Sequence, residues 1–219
     1  MFKLTEVQTR ELLTQPETGM GYQAVDATLA DNTTARGVVY NAELLSLDGE
    51  PRVGVATSYR TLLESAKSAS GLVKALRVLP RAGSTTFSVA RESWAAKTAG
   101  PATDAADVTT AAGETFKRFS AYQNDRRVLA DASLDKGAFA TTEDDAKNVN
   151  TGADAVARYA LPNATPASYR FTIKPDAGTV LKKGVAARAY GQPGGGVEVI
   201  FVNGTTPNTV TGPDKIPDL

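Results

Sequence analysis

The chain contains no histidine and no cysteine. Without histidine, Ser–His and Cys–His nucleophilic catalysis, imidazole general bases and ordinary zinc sites are excluded. Without cysteine there is neither a disulfide nor a thiolate nucleophile. Net charge is missing too: 24 basic side chains balance 24 acidic ones. No net basic field exists to hold polyanions, so nucleic acid is not an expected partner. No apolar run approaches the roughly 20 residues needed to span a bilayer, and Met1–Gln8 lacks the basic-then-apolar pattern of a signal peptide. The expectation is a soluble chain with no membrane partner, cytoplasmic by default; a specialised secretion route would leave no mark in the sequence. Any chemistry must rest on carboxylates, hydroxyls, arginine, lysine or backbone groups. The remaining balance, 42% hydrophobic and 22% charged over 219 residues, suffices for one large domain or two small ones.

Thr5-x-x-Gln8 followed by Val7, Leu12 and Leu13 predicts a capped helix ending before Gln15-Pro16, and Glu17-Thr-Gly19 reads as a turn. Strands are expected at 21–29, 35–47 and 52–56, and again at 85–89. Between them, Leu62, Leu63, Ala66, Ala69, Leu72, Val73 and Leu76 recur at helical spacing and predict a helix over 59–79. Trp94 is placed at a strand end or domain boundary. Residues 95–113 turn to Ala, Thr, Asp and Gly, too little apolar surface to offset ordering entropy, and read as a linker. The expected organisation is an N-terminal α+β domain over 1–95, a linker over 96–113 and a second domain over 114–219.

In that second domain Thr115–Ser120 reads as a strand with Phe116 and Arg118 on one face; Arg118 is either a solvated strand arginine or a fork for an anion. Lys136–Thr142 reads as a turn into a strand carrying Phe139 and ending in two hydroxyls. Thr142 is expected to cap the helix that follows, because Glu143-Asp-Asp145 suits a first helical turn, and Thr141 to line a pocket. An Ala-rich helix over 153–161, a strand over 169–173, water-facing lysines at 182 and 183 and an extended tail after Asn203 complete the chain.

The densest signal is Val185-Ala-Ala-Arg-Ala-Tyr190-Gly-Gln192-Pro-Gly194-Gly195-Gly196-Val-Glu198-Val-Ile-Phe201. Two strands, at 185–190 and 197–202, are expected to flank a glycine loop that other groups can approach closely. Alternation puts Glu198 on one face with Ile200 and Val202, and Val197, Val199 and Phe201 on the other. No Lys-Ser or Lys-Thr follows the glycines, so this is not a P-loop. The spacing also fails the dinucleotide fingerprint. A plain glycine-rich hairpin with an edge carboxylate accounts for the pattern equally well.

Gly184-x-Ala-Ala-x-x-Tyr-Gly-Gln-Pro-Gly-Gly-Gly-x-Glu198 resembles the C-terminal signature of NAD glycohydrolases of the tuberculosis necrotizing toxin type, whose fold is related to that of the ADP-ribosyltransferases. The family pattern reads Gly-x-x-Ala-Pro-x-Phe-Gly-Gln-Pro-Gly-Gly-Gly-x-Gln. Here Arg188 replaces the proline, Tyr190 the phenylalanine and Glu198 the glutamine. Glutamate at that place is commoner among true ADP-ribosyltransferases. The likeness extends over roughly residues 115–203.

What the resemblance implies is an α+β chain: a small β-rich N-terminal domain with helices, then an ADP-ribosyltransferase-like split β-sheet domain. NAD would be its substrate, with no resident cofactor and no metal. Glu198 would hold the ribose 2′-hydroxyl and stabilise the developing cation, and Arg118 would grip the pyrophosphate. Thr141 and Gln192 would line the pocket, Phe139 or Tyr190 would stack on nicotinamide, and Gly194, Gly195 and Gly196 would let backbone pass the ligand. Three functions stay open: an NAD glycohydrolase, a toxin or effector among the roles it implies; a mono-ADP-ribosyltransferase with a protein acceptor; and a non-catalytic binding or structural protein. The N-terminal domain could be an immunity-like cover, an adaptor or an oligomerisation element.

Overall fold

A computed structural model describes residues 1–30, 32, 34–47, 73–78 and 106–219. They form a mostly β protein with two antiparallel sheets, of five and seven strands, and three short helices among the described residues. The expectation of an α+β chain therefore overstates its helix: the clearest predicted helix is strand where it is described. Two compact units are present. One comprises Met1–Pro16 and Tyr22–Leu79, the other Glu17–Gly21 and Pro80–Leu219. The expected strands at 52–56 and 85–89, Trp94, the helical stretch 59–72 and most of the expected linker lie outside the described residues.

The first unit holds β1 (Phe2–Lys3), α1 (Glu6–Leu13), β2 (Tyr22–Leu29), β3 (Thr34–Tyr40), β4 (Leu44–Leu47) and β5 (Val73–Val78), with sheet order β1-β4-β3-β2-β5. α1 starts where Thr5 and Gln8 exchange a capping box, as the sequence pattern predicts. The expected strand over 35–47 is two, because Asn41 and Ala42 adopt positive φ and reverse the chain. Val73–Val78 is strand rather than helix. It pairs with β2, and the register slips so that Ala75 faces Thr28 but Val73 faces Leu29. This bulge puts Val73 on the same buried face as Leu76, three residues on, which is the spacing a helix would also produce. The core gathers Leu12, Val25, Leu29, Val39, Leu45 and Leu76.

The second unit holds β6 (Ala106–Thr109), β7 (Phe116–Ser120), β8 (Ala138–Thr142), α2 (Glu143–Ala146), α3 (Gly152–Arg158), β9 (Tyr169–Ile173), β10 (Val180–Val185), β11 (Val197–Phe201) and β12 (Val210–Lys215), in the order β12-β9-β7-β8-β11-β10-β6. Two of these depart from the sequence reading. β6 lies inside the expected linker and pairs with β10 as an edge strand, where a single half-buried Val108 suffices because only one side makes a ladder. The tail after Asn203 is not merely extended: β12 pairs with β9, with Val210 and Ile216 buried. Phe116, Phe171, Ile173, Leu181, Val199 and Phe201 form the core on one face of the sheet, with the Phe116 and Phe201 rings edge to face at 5.5 Å. Each such side chain contributes roughly 1.5–3 kcal/mol by leaving water.

The junction between β7 and β8 is thin. These strands pair only at Phe116↔Thr142 and Lys117↔Thr141. Beyond that point they separate, and the five residues Glu17–Gly21 belong to this unit.

Candidate functional site

β11 is a central strand, flanked by β8 and β10. Val199 and Phe201 enter the core face, so alternation turns Glu198 and Ile200 to the opposite face. Glu198 is 0% exposed there. Its strand neighbour on β10 is Gly184. Continuing the Val199↔Ala140 register by one residue sets Thr141 of β8 across from it on the other side. Directly opposite residues share a face. A polar row thus crosses the sheet: Thr172 of β9, Lys117 of β7, Thr141 of β8, then Glu198 and Gly184. Lys117 Nζ donates to Thr172 Oγ1 at 3.0 Å and pairs with Glu143 at 3.2 Å.

Beside Thr141 and Glu198 sits a carboxylate that the sequence pattern did not single out. Asp145 Oδ2 accepts from Thr141 Oγ1 at 3.3 Å, from Arg158 Nε at 3.0 Å and from the Tyr159 hydroxyl at 3.0 Å. Its Oδ1 accepts from Arg158 Nη2 at 2.6 Å, and the Val197 N–H, immediately before Glu198, also donates to it. Burial opposes ionisation of Asp145, but the Arg158 fork and the Val197 and Tyr159 donors outweigh it and hold its pKa below the ordinary value. Burial raises the pKa of Tyr159, and the neighbouring Asp145 charge raises it further. The Tyr159 ring stacks on Phe119 at 5.8 Å. Asp145 so ties β8, α3 and the start of β11 together. In sequence it is one of three consecutive acids, and nothing there marks it out. Thr142 caps α2 through the Asp145 N–H.

The glycine loop closes on the protein itself. The chain leaves β10 at Val185 rather than continuing as a strand to Tyr190. Ala189 and Gln192 exchange backbone hydrogen bonds around Tyr190 and Gly191, both at positive φ, which makes a tight hairpin turn. The N–H groups of Gly194 and Gly196 donate to the carbonyls of Ala157 and Arg158, capping the last turn of α3. Close approach explains both glycines: a Cβ on Gly194 would sit 2.5 Å from the Ala186 oxygen, and one on Gly196 2.6 Å from the Tyr159 ring. Gly195 is exposed. Gln192 lies apart from Glu198's row, lining a cavity of about 410 Å³ with Val156, Pro166 and Leu219.

Arg118 meets an environment different from the one the resemblance implies. It is 0% exposed. Nε and Nη2 donate to Asp125 at 2.9 and 3.0 Å, Nη1 and Nη2 to Glu17 at 2.8 and 2.9 Å, and Nη1 also to the Phe139 carbonyl at 2.8 Å. All five guanidinium donors are in use, so none is left for a ligand phosphate in this arrangement. Burial disfavours the charge most strongly, yet the charges of Asp125 and Glu17 overcome it and raise the pKa. Phe139 is also 0% exposed, enclosed by protein rather than presented for stacking.

The structure therefore brings Thr141 and Glu198 together, and leaves Arg118, Gln192, Tyr190 and the glycines in separate structural settings. A second cavity, about 490 Å³, opens at the end of this region and is lined by Thr142, Glu143, Asp145, Lys183 and Val197 among others. Among the described residues no three acids gather into a metal site, and no helix is long and apolar enough to cross a membrane. No family model, curated protein or solved structure matches the chain.

Proposed function

We propose that the seven-stranded unit cleaves the nicotinamide–ribose bond of NAD, with water as acceptor. One observation carries this reading: Thr141 and Glu198, which the family resemblance marks separately and 57 positions apart, stand side by side on adjacent strands and the same face. The thin β7–β8 junction, with the strands diverging after two paired residues, agrees with a split-sheet, ADP-ribosyltransferase-like fold.

In the reaction the bond from ribose C1′ to the pyridinium nitrogen breaks, and its electron pair leaves with nicotinamide. The resulting centre resembles an oxocarbenium ion, as in glycoside hydrolysis. The Glu198 carboxylate stabilises that charge and holds the ribose 2′-hydroxyl. Thr141, its hydroxyl proton directed to Asp145, offers its lone pairs to a donor on the ligand. Water adds at C1′ and releases a proton, giving ADP-ribose and nicotinamide. A buried anion facing a developing cation lowers the barrier without a histidine base. Arg118 fixes the backbone of Phe139, two residues before Thr141, while Glu17 and Asp125 occupy its other donors. If a protein side chain replaces water at C1′, the same site is a mono-ADP-ribosyltransferase, and its partner is the acceptor.

A second reading has its own support. The saturation of Arg118 and the complete burial of Glu198 suit a binding or structural protein that keeps this fold without turnover. Nicotinamide release by the purified chain, beside Glu198→Ala, which removes the polar group altogether, decides between them. Release that falls about 10²- to 10³-fold in the variant is the expected result. No release above background, with no NAD binding by calorimetry, leaves the non-catalytic reading.

A further inference from the structure

The surroundings of Glu17 are those of an anion seat. Its carboxylate accepts from two nitrogens of Arg118, at 2.8 and 2.9 Å, and from the backbone N–H of Phe139 at 2.9 Å. Arg127 lies 3.9 Å away. Next to it the N–H of Phe119 on β7 donates to the Met20 sulfur at 3.1 Å, a weak acceptor for a buried amide. Four of these donor groups belong to β7, β8 or the loop between them: Arg118, Phe119, Arg127 and Phe139. The acceptors, Glu17 and Met20, come from the five-residue segment Glu17–Gly21, which joins this unit although the residues on both sides of it belong to the other. The segment lies alongside the diverging part of β8, with the Glu17 N–H bonded to the Gly137 carbonyl at 3.1 Å. A bidentate guanidinium, two backbone amides and a second arginine form a donor set suited to a phosphate or diphosphate.

We propose that Glu17–Gly21 is a built-in plug: the Glu17 carboxylate stands where an oxyanion of a diphosphate ligand binds Arg118, and the ligand enters when the segment withdraws. The choice of a diphosphate rests on the NAD reading above; the occupied donor set does not. Withdrawal frees two Arg118 N–H groups and the amides of Phe119 and Phe139 together, while Asp125 keeps the guanidinium in place through Nε and Nη2. The incoming anion replaces the Glu17 charge beside Arg118 and Arg127, which removal of Glu17 alone does not.

Inorganic pyrophosphate is the probe, titrated by calorimetry into the full chain and into Glu17→Gln. The variant keeps a group that can accept from Phe139 but loses the charge on Arg118. It is expected to bind pyrophosphate about tenfold more tightly or better, the factor imposed by a seat closed nine-tenths of the time. In the wild type, hydrogen exchange at the Glu17 amide, whose bond to Gly137 holds the segment down, is expected to accelerate in excess pyrophosphate. A folded Glu17→Gln that binds no better than wild type overturns the plug. So does wild-type exchange at the Glu17 amide that does not accelerate, whether or not the variant folds. Nicotinamide release separates this proposal from the one it draws on. Release by the wild type that Glu17→Gln does not increase removes the plug and leaves NAD cleavage standing. Tighter pyrophosphate binding with no release from either protein keeps the plug and removes NAD cleavage.

Discussion

The two sheets use the same ionic chemistry in opposite arrangements. In the five-stranded sheet one acid, Asp26 on β2, lies between two arginines on the flanking strands, Arg36 at 3.2 Å and Arg77 at 3.1 Å, and the Arg77 side chain is 75% exposed. In the seven-stranded unit one arginine, Arg118, lies between two acids, and all three side chains are at most 4% exposed. The first triad sits directly across the ladder and specifies which residues face one another. The second is not a cross-strand row. It joins β7 to the Glu17 segment, to the loop at Asp125 and to the backbone of β8, replacing ladder bonds where the strands part. The first keeps one arm, Arg77, in solvent while Asp26 and Arg36 are largely covered; the second is closed off from solvent altogether.

The contrast breaks most readily at Asp125. Asp125→Ala leaves the buried Arg118 short of one carboxylate and is expected to cost about 3–5 kcal/mol, read as a lower denaturation midpoint in urea. A loss below about 1 kcal/mol would put the buried triad in the same class as an exposed pair such as Arg77–Asp26. Next comes Gly196→Ala, whose new Cβ meets Tyr159 and the Arg158 Cγ at 2.6 and 2.7 Å. Overpacking there is expected to cost about 1–3 kcal/mol and to slow nicotinamide release, because the same contact holds Asp145's partners. Acid tests that network from another side. Asp145 has a folded pKa below its ordinary 3.8. Its contribution is therefore full above about 3.8 and is lost as pH falls through the depressed value. The midpoint of the seven-stranded unit in urea should fall over that window, and Asp145→Asn should flatten the fall. The smallest effect is expected for Arg77→Ala, the exposed arm, within about 0.2–1 kcal/mol. That loss should shrink in high salt, whereas the effect of Asp125→Ala should not. Nicotinamide release should be unchanged by Arg77→Ala.

Much of the local structure is legible in the residues alone. The Thr5–Gln8 capping box, the cap at Thr142 and the strands over 22–29, 116–120, 138–142, 169–173 and 197–201 follow from short patterns acting within a few residues. The strand at Val73–Val78 was hidden because a bulge imitates helical spacing, and β6 and β12 because an edge strand needs few apolar residues. In the candidate site, the placement of Thr141 beside Glu198 was implied only through the family likeness. Asp145 read only as a first-turn acid and Glu17 only as part of a turn, with no local signal for the partners they meet.

The sequence by itself determined the chemical repertoire: no histidine, no cysteine, and hence carboxylates, hydroxyls and guanidinium groups as the means of any reaction. It also set the alternation that turns Glu198 away from Val199 and Phe201. Only the tertiary structure decided what surrounds each of these groups. Arg118 reads from its strand as a residue able to meet a phosphate, yet its five donors end on Glu17, Asp125 and Phe139. The glycine loop reads as space for a ligand and is spent on the end of α3. Spacing along the chain fixes which face a residue occupies. Which anion reaches a guanidinium depends on residues as far as 101 positions away, and on the low-dielectric interior that makes their pairing decisive.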